Sequence, residues 1–125
     1  TGITTKEAIF AADKLSQEGI KAGVLHMHTI KPLDYESIIN ISQKVRLIVS
    51  VEEHIKIGGL GSAIGDILND NFDQNMPKLI KLGIPDQFPD KYGTQDELLK
   101  YYSLDSKSIY KTVSGFFKSK GLKAA

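Results

Sequence analysis

Cysteine is absent from this chain of 125 residues. Disulfide scaffolds, thiol nucleophiles, zinc ribbons and iron–sulfur clusters are thereby excluded. No apolar run approaches the roughly 20 residues that a membrane-spanning helix requires, and no charged-then-apolar signal segment opens the sequence. Neither sign of charge dominates: 16 Lys and Arg stand against 15 Asp and Glu, a formal net charge of +1. A chain so balanced lacks the electrostatic footprint that nucleic acid or an anionic membrane would select, so neither is expected as a partner. Internal repeats, low-complexity tracts and interdomain linkers are also missing. A cytoplasmic location is the default these absences leave. What is present is ordinary for a globular protein: 41% hydrophobic and 25% charged residues. At 13.8 kDa there is room for one core, hence one domain over residues 1–125 with a frayed, lysine-bearing tail from Lys118.

The periodicity alternates between helix and strand. Thr4-Thr5-Lys6-Glu7 has the Thr-x-x-Glu form of a capping box. Ala8, Ala11, Ala12 and Leu15 follow at helical spacing, and Gly19 stands where a left-handed cap would end a helix over 5–18. Lys21 to Ile30 alternates like a strand, with Val24, His26 and His28 on one face and Leu25, Met27 and Thr29 on the other. Pro32 stops it. Asp34 is placed to cap a helix over 35–44. The nearly continuous apolar run Leu47–Val51 suits a strand buried on both faces of a parallel sheet. Gly58-Gly59-Leu60-Gly61-Ser62 then turns into a helix striped by Leu60, Ile64, Ile67, Leu68 and Phe72. A third strand is expected over 78–84. A second capping box, Thr94 to Glu97, opens a helix over 95–102, and Asp105 caps a last helix. The order α-β-α-β-α-β-α-α implies a mostly parallel sheet with helices on both faces. Three strands are few for so many helices.

Four groups of residues invite a chemical reading. The glycine turn lies between a strand and a helix N-terminus, a place that can cradle phosphate with backbone amides. Ile64 stands where the dinucleotide fingerprint wants its third glycine, and no Gly-Lys-Ser/Thr follows. The plainer reading is a tight turn in which Gly58, Gly59 and Gly61 allow positive φ and close packing. Glu52, Glu53 and His54 gather at the carboxyl end of a strand, where open α/β sheets place their sites, and a carboxylate beside an imidazole can move protons. Neighbouring strand residues face opposite ways, however, which favours a structural or interface role for Glu53 and His54. His26, His28 and His54 would make a three-imidazole zinc set only if the fold joined them, and no local spacing does so. Tyr101, Tyr102, Tyr110, Phe116 and Phe117 fit core packing at helical spacing better than a ligand cage.

Longer stretches carry more. His28-Thr29-Ile30-Lys31-Pro32-Leu33-Asp34 resembles the TIKPLD motif of transketolase C-terminal domains. Val51-Glu52-Glu53-His54-Ile55-Lys56-Ile57-Gly58-Gly59-Leu60-Gly61-Ser62-Ala63 is similar to that family's EEH…GGLGSA segment. Leu82 to Phe88 resembles its GI-x-D-x-F strand and loop, and Glu97 to Asp105 its ELL-x-x-Y-x-L helix. The four occur in the family order and, with the first helix, span nearly the whole chain. The wider family of thiamine-diphosphate enzymes also includes deoxyxylulose-phosphate synthases and the β subunits of 2-oxo-acid dehydrogenases, where such a domain docks onto an acyltransferase core. The MHTIKPLD and EEH wording leans to transketolase, while Leu82 to Phe88 reads almost equally like the synthase.

The resemblance implies a three-layer α/β/α sandwich with a mixed, mostly parallel five-stranded sheet, here without the strands that precede the first helix in the family. It implies that thiamine diphosphate and magnesium belong to two other domains of a parent enzyme. This domain then has no catalytic, cofactor-binding or metal-binding residue of its own. The parent would move a two-carbon ketol unit between sugar phosphates, in the pentose phosphate pathway, as a homodimer. The domain's partners would be the other domains or subunits of that enzyme, with Glu53, His54, Gly58, Gly59 and Gly61 as interface or structural-turn residues.

Overall fold

The structure is a computed structural model that describes residues 2–71 and 75–121. In chain order the elements are α1 (Thr4–Gln17), α2 (Tyr35–Ser42), β1 (Leu47–Ile55), α3 (Leu60–Asp70), β2 (Lys78–Ile84), α4 (Gln95–Tyr101) and α5 (Ser106–Ser119). The two strands pair in parallel, with Leu47 opposite Lys78 and Val51 opposite Leu82. Parallel neighbours need a crossover, and α3 supplies it.

Strand alternation sends β1 side chains to two separate cores. On one face Val49 and Val51 meet Ala11, Leu99, Leu104 and Ile109 from α1, from α4 with the turn following it, and from α5. On the other, Ile48 packs with Met27, Ile38, Leu60, Ile64 and Leu68 under α2 and α3. Helices on both faces of a parallel sheet give the expected three layers, and the fold is α/β. Burial on both sides accounts for the uninterrupted apolar run at the start of β1.

Residues 21–30 depart from expectation. They carry no regular secondary structure and join no sheet among the described residues, and a strand exists only by pairing. Among the described residues the sheet therefore has two strands, and the element order is α-α-β-α-β-α-α. Met27 is buried while Val24 and Leu25 stay exposed, so the face expected for Leu25, Met27 and Thr29 is not buried as a whole.

The first capping box also differs. Thr4 is inside the helix, and its buried hydroxyl donates to the Val51 carbonyl at 3.0 Å. Glu7 reaches another helix altogether: its carboxylate accepts from the Ser106 amide at 2.7 Å and so caps α5 across the chain. Asp105 holds the N-cap position of α5 without a side-chain cap bond, while Glu7 serves the first amide of that helix. Tertiary packing has overridden a local motif. The second box forms as expected, Thr94 with Glu97, and Asp34 accepts from the Ser37 amide at 3.0 Å. Gly19 adopts φ +81 just beyond α1. α5 continues through Ser119, so the first residues of the expected tail are helical. Phe72 and the last four residues of the tail lie outside the described residues.

Candidate functional site

β1 runs four residues beyond its apolar part, and those residues build the region of interest. Between Val51 and Ile55 the register with β2 slips, so three β1 residues face the single Gly83. A bulge of this kind turns side chains that a regular strand would point elsewhere. A Cβ at Gly83 would stand 3.0 Å from the His54 carbonyl oxygen and 2.8 Å from Lys56 Cβ, so only glycine leaves room for it.

Glu52 is fully buried and points at the start of α3. Its carboxylate accepts from the amides of Leu60 (2.7 Å) and Gly61 (3.0 Å). The next two amides, Ser62 and Ala63, close onto the Gly59 carbonyl. A buried carboxylate is costly unless paired, and here two orphan amides and the positive end of the helix compensate it. His54 completes the arrangement. Its Nε2 lies 2.9 Å from Glu52 and its Nδ1 2.8 Å from the Ile55 carbonyl. Both ring nitrogens thus lie within hydrogen-bond distance of protein oxygens.

The glycines follow from this. Gly58 has φ +76, a turn conformation that a side chain resists. Gly59 has an ordinary φ; its reason is space, because a Cβ there would collide with the Glu52 carboxylate and the His54 ring. Gly61 abuts Ser50 and Lys81 in the same way. Ser62 ties the turn together, accepting from the Gly58 amide at 3.0 Å.

The sequence reading of Glu53 and His54 separates in the structure. Glu53 faces the other layer and accepts from Gln95 Nε2 at 2.9 Å, binding β1 to α4. Glu52, left out of the candidate set, is the residue on which the turn is built. Its signal was in the sequence: an acidic residue at the end of an apolar strand, a glycine turn away from a helix start. His26 and His28 do share a side, their rings 6.3 Å apart. His26 bonds to Thr5 and His28 to Thr29, away from the Glu52 partner of His54. The C-terminal aromatics disperse: Tyr102 and Tyr110 pack on the core, Phe116 lies edge-on to Phe117, and Tyr101 reaches Asp90.

Thiamine diphosphate does not fit this arrangement. The helix N-terminus that would receive a diphosphate already holds a carboxylate of the same sign. What the geometry defines is a strand–turn–helix junction locked by its own anion, in a three-layer α/β domain.

Comparison with known proteins agrees. Residues 1–109 match the family described as transketolase, C-terminal domain. A 1-deoxy-D-xylulose-5-phosphate synthase of Caldanaerobacter subterraneus subsp. tengcongensis is 41% identical over 112 residues, 90% of this chain and 18% of that protein. A protein of Methanocaldococcus jannaschii named as a transketolase C-terminal section is 43% identical over 113 residues, again 90% of this chain and 34% of the other. Among solved structures, a split-gene transketolase, described as an inactive β4 tetramer, superposes with TM-score 0.81 at 35% identity, over 98% of this chain and 38% of that one. The chain belongs to the transketolase C-terminal domain family. It spans about a fifth of the synthase and about a third of the transketolase subunits it matches.

Proposed function

We propose that this chain serves as the C-terminal domain of a transketolase, which moves a two-carbon ketol unit between sugar phosphates in the cytoplasmic pentose phosphate pathway. Thiamine diphosphate and magnesium act in the other domains of that enzyme. This domain contributes scaffold and subunit contacts, and the parent works as a homodimer. The observation that carries the reading is Glu52. The strand end where an α/β sheet would hold a ligand is filled by the protein's own carboxylate, with His54 closing it. The matching split-gene transketolase and the transketolase subunits among the relatives support association with further chains.

Calorimetric titration of the 125-residue chain with thiamine diphosphate and Mg²⁺ is expected to give only heats of dilution; micromolar binding would overturn the assignment. Joined to the cofactor-binding domains of its parent, the chain should support ketol transfer from a ketose phosphate to an aldose phosphate. A second reading, the C-terminal domain of a deoxyxylulose-phosphate synthase, is favoured by the 41% identity to such an enzyme. Formation of deoxyxylulose phosphate by the assembled enzyme would select it.

A further inference from the structure

A cavity of about 170 Å³ lies where the ends of β1 and β2 meet α4. Leu99 and Leu104, both buried, line it together with the half-buried Ile84, Leu98 and Tyr102. The sixth lining residue, Glu53, is exposed and so stands at the mouth. Its place follows from strand alternation: Glu52 faces the start of α3, and the next residue faces the opposite layer, where α4 packs. The cavity is thus on the other side of β1 from the junction that Glu52 closes.

Two polar groups set this space apart from a packing gap. The Tyr102 hydroxyl is buried and has no hydrogen-bond partner among the described residues. Buried polar atoms of native proteins nearly always find one. The Glu53 carboxylate is only part used. Gln95 Nε2 donates to its two oxygens at 2.9 and 3.2 Å, which fixes its direction. A carboxylate has room for about four such bonds. Among the described residues the ion pair that forms joins Glu52 to His54, and Glu53 has no cationic partner. The first turn of α4 adds Asp96 and Glu97, against Lys100 alone in its last turn. The charge beside the cavity is therefore negative.

Size and charge together define an occupant. A cavity of roughly 150 Å³ with aliphatic walls takes up benzene, so this one has room for one ring or about six carbons. A molecule of that size fits the space; the face of another protein does not. Aliphatic walls suit a hydrocarbon body, and a carboxylate at the mouth suits a cationic head. Hydrogen bonds between charged groups are about twice as strong as neutral ones.

We propose that this cavity binds a small organic ammonium: a protonated primary amine on a one-ring or short hydrocarbon body. Glu53 receives the ammonium, Leu98, Leu99 and Leu104 hold the body, and the Tyr102 hydroxyl supplies a second polar contact. The site gives the domain a ligand of its own, separate from the cofactor of the parent enzyme.

Benzylamine, neutral benzyl alcohol and anionic benzoate have nearly one shape and separate charge from size. Each is titrated into the isotope-labelled 125-residue chain, and the amide resonances of Leu98, Leu99, Tyr102 and Leu104 are followed. Benzylamine should shift these four and bind at least about tenfold more tightly than benzyl alcohol, the worth of a charged hydrogen bond. Benzoate should leave them in place. Glu53→Gln should weaken benzylamine at least about tenfold and leave benzyl alcohol as it was. Tyr102→Phe should weaken benzylamine by a smaller factor without lowering the melting temperature, since its hydroxyl has no partner to lose. Benzylamine binding that is no tighter than that of the other two probes, or that ignores Glu53→Gln, would overturn the ammonium assignment. Silence of these amides toward all three probes would overturn the site itself.

Discussion

Two connections leave the same end of the same sheet, and they are built in opposite ways. From β1 to α3 the chain makes a short glycine turn around a buried carboxylate and an imidazole. From β2 to α4 it makes a longer loop that leaves the Phe88 and Tyr92 rings in water. Open α/β sheets commonly place ligands at this end. In the first connection the protein has satisfied the helix N-terminus from within, which removes the site while stabilising the turn. In the second it has left apolar surface unsatisfied, which a neighbour can use. The contrast runs between adjacent residues: Glu52 is bonded into the first connection, and Glu53, through Gln95, into the end of the second.

The comparison breaks first at Glu52. Glu52→Ala strands two buried amides and a half-buried imidazole, and should cost about 3 kcal/mol, a large share of the roughly 5–15 kcal/mol a small domain holds. Glu52→Gln keeps the shape but only one acceptor oxygen, and about 1–2 kcal/mol is expected. Urea denaturation of the chain measures both. A loss below about 0.5 kcal/mol for Glu52→Ala, the size of a surface change, would show that the turn does not depend on its anion.

The glycines sharpen the same point. Gly59→Ala should cost about 2 kcal/mol through overpacking against Glu52 and His54. Gly58→Ala should cost about 1 kcal/mol through its positive φ. Because the Gly59 collision is with Glu52 itself, the penalty should shrink in a Glu52→Ala background, whereas the Gly58 penalty should persist. Additivity at both positions would remove steric contact with the carboxylate as the reason for Gly59.

On the other connection, Glu53→Gln should change stability by less than about 0.5 kcal/mol, the range of surface substitutions. It should alter association of the parent enzyme if Glu53 and the loop it anchors serve contacts. Equal loss of fold stability at Glu52 and Glu53 would erase the distinction.

The smallest expected effect is acidic. Hydrogen bonds from Ser37 hold the Asp34 carboxyl below its ordinary 3.8. Those of Thr94 hold Glu97 below its ordinary 4.5. Groups with depressed pKa values contribute stability that is complete above the unfolded values and is lost as pH falls through the folded ones. Denaturation midpoints should thus decline below about pH 4, and Asp34→Asn with Glu97→Gln should flatten that decline. Both carboxyls are exposed, so only a shallow slope is expected.

Much of this fold was legible in the residues because its signals are local. The apolar run of β1, the stripe Leu60, Ile64 and Leu68 on α3, the Thr94–Glu97 box and the Asp34 cap each depend on neighbours within a turn or two of chain. The motif order likewise pointed to the transketolase family without reference to tertiary structure. Other features were decided by distant partners. Thr4 and Glu7 spell a capping box, yet Ile3 takes the N-cap position, Thr4 bonds to Val51 and Glu7 caps α5. Residues 21–30 carry the alternation of a strand, but pairing is a property of two segments, and alternation describes only one. The choice of Glu52 over Glu53 as the carboxylate at the α3 terminus rests on which face of β1 meets that helix, a matter of a single residue's register. Sequence alone determined the five helices, two of the three expected strands and the family they make; only the tertiary structure decided which segments pair and which polar groups meet, since a hydrogen bond acts over about 3 Å in space and takes no account of separation along the chain.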